Sequence, residues 1–129
     1  IAACLARAAR VTANDIDPVA LHVASRNAAA NGVTLIPDAR DLAQTGLDTA
    51  TQVVLVADLF YERAPAARML ECLRTAAAAG VQVLVADAGR PFAPHTGVDL
   101  LASESVNVDD DLEGTAVRNV HILRLLAEA

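Results

Sequence analysis

The period of apolar and polar positions changes several times along the chain, and each change marks an element. Val11 to Ala13 is a short apolar stretch that runs into Asn14-Asp15-Ile16-Asp17-Pro18, the pattern of a strand end followed by a helix start. Asp17 is a good N-cap, and Pro18 fits the first helical turn, where its missing N–H is not needed. The helix is predicted from Pro18 to Ala30, with Val19, Leu21 and positions 23–28 supplying an apolar stripe and Asn31-Gly32 a stop. Val33 to Ile36 predicts a second short strand, ended by Pro37 and Asp38. Val53 to Ala57 and Val81 to Ala86 are continuous apolar runs, the signature of strands covered on both faces. Between them, Ala64 to Ala79 predicts a helix with Pro65 near its start and Gly80 at its end.

This order, strand, helix, strand, helix, strand, implies βαβ units and a parallel sheet with helices on both faces. The tail differs. Glu104 to Val108 and Ala116 to Leu126 alternate around an acidic, turn-like stretch from Asp109 to Gly114, which predicts an antiparallel hairpin at a sheet edge. With 129 residues the chain is expected to form one domain, 1–129. Ile1 to Ala9 reads as the middle of a helix with no initiator Met before it, so the chain is expected to be the C-terminal part of a longer protein.

Composition removes several classes of function. Hydrophobic residues make up 54% and charged residues 20%, which excludes intrinsic disorder. A net charge of −6 without a basic cluster argues against nucleic acid as a partner. The most apolar run, Ala76 to Ala86, is shorter than the roughly 20 residues a bilayer needs, so no membrane span is expected. Cys4 and Cys72 have no Cys or His nearby at ligand spacing and read as buried thiols of a reducing compartment. With no apolar leader, that suggests the cytoplasm. His22, His95 and His121 are scattered and no nucleophile–base pattern is evident, so neither a metal nor covalent catalysis is expected.

In open parallel sheets ligands bind outside the carboxyl ends of the strands. Each of the four predicted strand ends carries an Asp: Asp15, Asp38, Asp58 and Asp87. Asp15 sits where a carboxylate accepts from both hydroxyls of a ribose diol, or else it caps the following helix. Asp38, followed by the small Ala39, suits an exocyclic adenine amine as well as it suits an ordinary turn. Asp58 and Tyr61 are three residues apart and can face one pocket together with Phe60 and Glu62; the alternative is that Asp58 caps the helix and Tyr61 packs beneath it. In Gly89-Arg90-Pro91, a tight turn, Arg90 is read as an anchor for its loop or for the acidic tail.

These segments carry a family resemblance. Val11 to Pro18 with Asn27 and Asn31-Gly32 resembles the second strand and helix of class I, seven-strand S-adenosylmethionine-dependent methyltransferases. Asp58-Leu59-Phe60-Tyr61-Glu62 resembles the Asp-x-x-Tyr motif after strand four of the protein lysine methyltransferases of this class. Asp87-Ala88-Gly89-Arg90-Pro91-Phe92 is similar to the Gly-Asp-Pro-Gly-Arg segment of the electron transfer flavoprotein β-subunit lysine methyltransferase branch, members of which are also labelled nicotinamide N-methyltransferase-like. Ala86 and Ala88 depart from the Gly and Pro of that segment.

The resemblance implies a Rossmann-like three-layer α/β/α fold, parallel apart from one strand of the C-terminal hairpin, with the first strand and Gly-rich loop missing before Ile1. It implies S-adenosyl-L-methionine as cofactor, held by Asp15, Ile16, Asp38, Ala39 and Asp58. It implies Asp58 and Tyr61 as catalytic residues, with Phe60, Tyr61 and Glu62 lining a lysine channel. The expected activity is methyl transfer to a lysine amine of a protein such as the electron transfer flavoprotein β subunit. A small-molecule N-methyltransferase and a non-catalytic binding module of the same fold are the alternatives.

Overall fold

The computed structural model describes residues 1–108 and 116–127, and the chain divides into two compact units, Ile1–Thr45 and Gly46–Ala129. The predicted acidic turn, Asp109 to Gly114, lies outside the described residues.

In the first unit β1 (Thr12–Asn14) pairs in parallel with β2 (Ile36–Asp38), and α2 (Pro18–Ala30) packs on both. Asp17 caps α2 as predicted, accepting the Val19 N–H at 2.8 Å. Gly32 ends it at φ 67, with Val33 N–H returning to the Ala28 carbonyl at 3.0 Å. Strand β2 lies later than predicted and contains Pro37. The Ile36 N–H donates to Val11 O and the Asp15 N–H to Asp38 O, so β1 is bonded through residues 36 and 38. The ring nitrogen of Pro37 falls on the side away from β1, where no ladder bond is lost. The first helix is also shorter than predicted: α1 spans Ala2–Leu5, and Arg7 at φ 67 closes it with Ala8 N–H bonded to Ala3 O. A short α3 (Leu42–Thr45) is capped by Asp41, whose Oδ1 accepts the Ala43 N–H at 3.1 Å.

The second unit holds a four-stranded sheet in the order β3 (Val53–Ala57), β4 (Gln82–Asp87), β6 (Val117–Leu125), β5 (Val98–Asn107). β3 and β4 are parallel, and β6 is the one strand antiparallel to both of its neighbours. Helix α4 (Arg63–Ala78) buries Ala66, Leu73 and Ala76, one stripe at helical spacing, against the sheet. Register places Val54, Val56, Val83, Val85, Leu123 and Leu125 on the face that packs with it. The other face of β3 carries Val53 and Leu55, both exposed, where the apolar run had predicted cover on both sides. Cys4 and Cys72 form no disulfide among the described residues and are half-buried rather than buried. Among the described residues no helix is long and apolar enough to cross a membrane.

Candidate active site

The predicted site residues fall into two groups, one in each unit. In the first unit the Asn14 side chain ties the two strand ends together, donating to the carbonyls of Asp38 at 3.0 Å and Arg40 at 2.9 Å. Asp15 follows directly and is exposed. Its Oδ1 accepts the Asp17 N–H at 2.9 Å, and among the described residues Oδ2 accepts no hydrogen bond. Asp17 does the helix capping, which leaves Asp15 as a strand-end carboxylate with a free oxygen, suited to hydroxyl donors. Ile16 beside it is 71% exposed.

Asp38 is engaged differently. The Arg40 guanidinium grips it from Nε, at 3.0 Å to Oδ1, and from Nη2, at 2.7 Å to Oδ2, while the Arg40 backbone N–H also reaches Oδ1 at 3.0 Å. This grip holds the Asp38 carboxyl below its ordinary pKa, with the side-chain bond to Arg40 the largest cause. Asp38 is therefore a fixed anion beside Ala39, with both oxygens already accepting from one cation. Arg40 was not among the predicted residues, although its position two residues after Asp38 is a readable signal for a local ion pair.

In the second unit Asp58 stands just past β3 at φ 58, a left-handed conformation that Asp tolerates better than most residues. It does not cap α4; Glu62 occupies the N-cap position, without a side-chain cap bond. Arg90, from the turn after β4, donates to Asp58 Oδ1 from Nε at 2.6 Å and is also paired with it through Nη2. Asp87, the last residue of β4, is buried and accepts the Gly89 N–H at 2.9 Å and the Arg90 N–H at 3.1 Å. The Phe92 N–H donates to the Phe60 carbonyl at 3.2 Å, joining the two loops a second time.

Phe60 and Tyr61, adjacent in sequence, part company here. Tyr61 is 57% exposed and Phe60 is 1% exposed, in the core with Val56, Val83, Val85 and Ala93. The expectation that Phe60 lines a substrate channel is thus corrected: a side chain sealed in the core has no surface to offer a substrate, and its place is under the loop that presents Asp58 and Tyr61. Arg90 is the anchor the sequence suggested, but its partner is Asp58, 32 residues away, a pairing that spacing alone does not reveal. Among the described residues no group of three His, Cys, Asp or Glu side chains could hold a metal ion.

Residues 1–83 match the ribosomal protein L11 methyltransferase (PrmA) family. The chain belongs to the PrmA methyltransferase family. Beyond that match, this PrmA-family chain is 35% identical over 91 residues to the electron transfer flavoprotein beta subunit lysine methyltransferase of Danio rerio. That stretch covers 70% of the chain, and the chain spans about a third (35%) of the relative's length. Among solved structures it is similar to the N-methyltransferase NodS from Bradyrhizobium japonicum WM9, with a TM-score of 0.59 at 14% identity, over 91% of this chain and 74% of that one. The complex of NodS with S-adenosyl-L-homocysteine matches with a TM-score of 0.60 at 15% identity, over 90% of this chain and 66% of that one. The PrmA-family chain therefore has the Rossmann-like α/β fold of class I methyltransferases, as the sequence implied.

Proposed function

We propose that the protein is an S-adenosylmethionine-dependent N-methyltransferase that acts on a lysine side chain of a protein, with the electron transfer flavoprotein β subunit as the first substrate to test. The observation that carries this reading is Asp58: an exposed strand-end carboxylate with one oxygen open, beside an exposed Tyr61, in a chain 35% identical to a lysine methyltransferase of that subunit. When bound, S-adenosylmethionine supplies a methyl group on a sulfonium, and the electron pair of the broken bond stays on sulfur.

The chain's own residues then have distinct work. Asp15 accepts from the ribose hydroxyls through its free oxygen, with Ile16 giving an apolar surface beside it. Asp38 and Ala39 flank the adenine edge, Asp38 as a fixed anion. Asp58 accepts a hydrogen bond from the lysine amine and sets its direction of approach. A free lysine has a pKa of about 10.4, and a carboxylate nearby raises it, so Asp58 positions the ammonium and the proton leaves to water. The acceleration comes from alignment of the nitrogen with the methyl group. Tyr61 offers an aromatic face to the cation, with Glu62 at the rim of the same loop. The reading includes a cytoplasmic location, in keeping with two cysteines that form no disulfide among the described residues.

Asp58→Ala tests it. Transfer of labelled methyl to the electron transfer flavoprotein β subunit is expected to fall by about a hundredfold or more, because alignment is lost. Cofactor affinity, read by calorimetry, is expected to stay within about threefold, since the ribose contacts belong to Asp15. A loss of cofactor binding that matches the loss of activity overturns the role given to Asp58.

A further inference from the structure

Asp58 and Arg90 stand at the ends of two neighbouring parallel strands, and each loop is held by contacts besides the pairing of the two side chains. The turn that carries Arg90 is held at its base by the buried Asp87 carboxylate, which accepts the backbone N–H groups of Gly89 and Arg90. The loop that carries Asp58 is held by Phe60 in the core and by the bond from the Phe92 N–H to the Phe60 carbonyl. The guanidinium thus reaches Asp58 from a braced turn. Both of its contacts, from Nε and from Nη2, fall on Oδ1. Among the described residues Oδ2 accepts no hydrogen bond, and the Asp58 side chain is 66% exposed. The neighbouring cation Arg63 is directed elsewhere, with its guanidinium carbon 5.9 Å from the centre of the Phe92 ring.

We propose that Arg90 is a positioning residue for methyl transfer, pinning Asp58 by one oxygen, presenting the other to the substrate amine, and balancing the charge at that point. This rests on the lysine reading given above. A lone carboxylate beside a lysine stabilises the ammonium and so opposes the loss of the proton that must pass to water before the nitrogen lone pair can form the new N–C bond. A guanidinium on the same carboxylate offsets much of that field and leaves the hydrogen-bond acceptor in place. The pair can therefore hold an amine by direction without locking it in its charged form. A cation so close also discriminates among substrates: it repels a second positive charge beside the target nitrogen, which favours an isolated lysine over one in a basic cluster.

Arg90→Gln and Arg90→Lys in the full-length protein test the assignment, with the recombinant electron transfer flavoprotein β subunit as substrate and S-adenosylhomocysteine as the calorimetric probe of the cofactor site. In Arg90→Gln the unbalanced carboxylate holds the ammonium more tightly and releases its proton less readily. The expected result is a KM lower by about twofold or more with a kcat lower by about tenfold, and S-adenosylhomocysteine affinity within about twofold of wild type. Arg90→Lys, which restores the charge, is expected to recover most of kcat. A KM that rises or stays unchanged, a lysine variant no better than the glutamine variant, or a parallel loss of S-adenosylhomocysteine affinity overturns the proposal. The two failures differ in appearance: a wild-type protein that transfers nothing overturns the lysine reading and this role with it, whereas an active wild type matched by Arg90→Gln overturns the role of Arg90 alone.

Discussion

The carboxylates of Asp38 and Asp58 are each gripped by an arginine, but the two grips differ in reach and in what they leave open. Arg40 is two residues from Asp38 and uses both oxygens, so the anion is neutralised locally. Its pKa is depressed in the folded state, so the stabilisation is present at neutral pH, above the ordinary carboxylate value, and is lost as pH falls through the lowered value. Arg40→Gln is expected to move the Asp38 titration midpoint up toward the ordinary value, as read by NMR of the side-chain carboxyl carbon; an unmoved midpoint rules out the Arg40 guanidinium as the cause. The Asp38 pair was legible in principle from two residues of spacing, whereas the Asp58 pair was not, because 32 residues of chain and a parallel β3–β4 register bring its members together. Phe60 and Tyr61 show the same limit. Adjacent aromatics give no sign of which faces inward until the turn that carries them is built.

Among the elements, those with a strong local signal were legible and those decided by tertiary pairing were not. Val53–Ala57 was read with its observed bounds, since an unbroken run of apolar, mostly β-branched residues has few alternatives. The ends of α2 were legible because Asp17 and Gly32 each do their work through bonds within a few residues. Strand β5 begins at Val98, well before the alternation at Glu104. Leu100 and Leu101 stand in succession where the pairing register shifts between Leu100 and Ala102, and the extra residue hides the period of two. Arg7 ends α1 in a left-handed conformation that Arg adopts rarely, so no stop was readable there. The capping reading has a direct test. Asp17→Ala removes the acceptor for the Val19 N–H at the start of α2 and is expected to cost about 1 kcal/mol in urea unfolding. A change near zero assigns the start of α2 to Pro18 alone.

At the scale of the molecule, the loop after β3 links the stability of the second unit to the presentation of its candidate site. Its core joins α4 to the sheet through Val56, Leu73, Val83 and Val85, and Phe60 is the largest side chain fully buried there. Phe60→Ala removes that ring from a packed interior and is expected to cost about 3–5 kcal/mol, a large share of the roughly 5–15 kcal/mol that holds a typical domain folded. Tyr61→Ala removes a ring that is 57% exposed and is expected to change stability by no more than about 0.5 kcal/mol. Their effects on methyl transfer invert this order once folding is accounted for. Assayed where both variants are folded, Tyr61→Ala is expected to raise KM for the protein substrate, because it strips an aromatic face from the approach to Asp58. Phe60→Ala acts chiefly by lowering the folded fraction, so urea unfolding and kinetics on the same two variants separate the residue that holds the loop from the residue that meets the substrate. Equal losses of stability in the two variants would place both rings in the core and leave Asp58 without an aromatic neighbour at the surface.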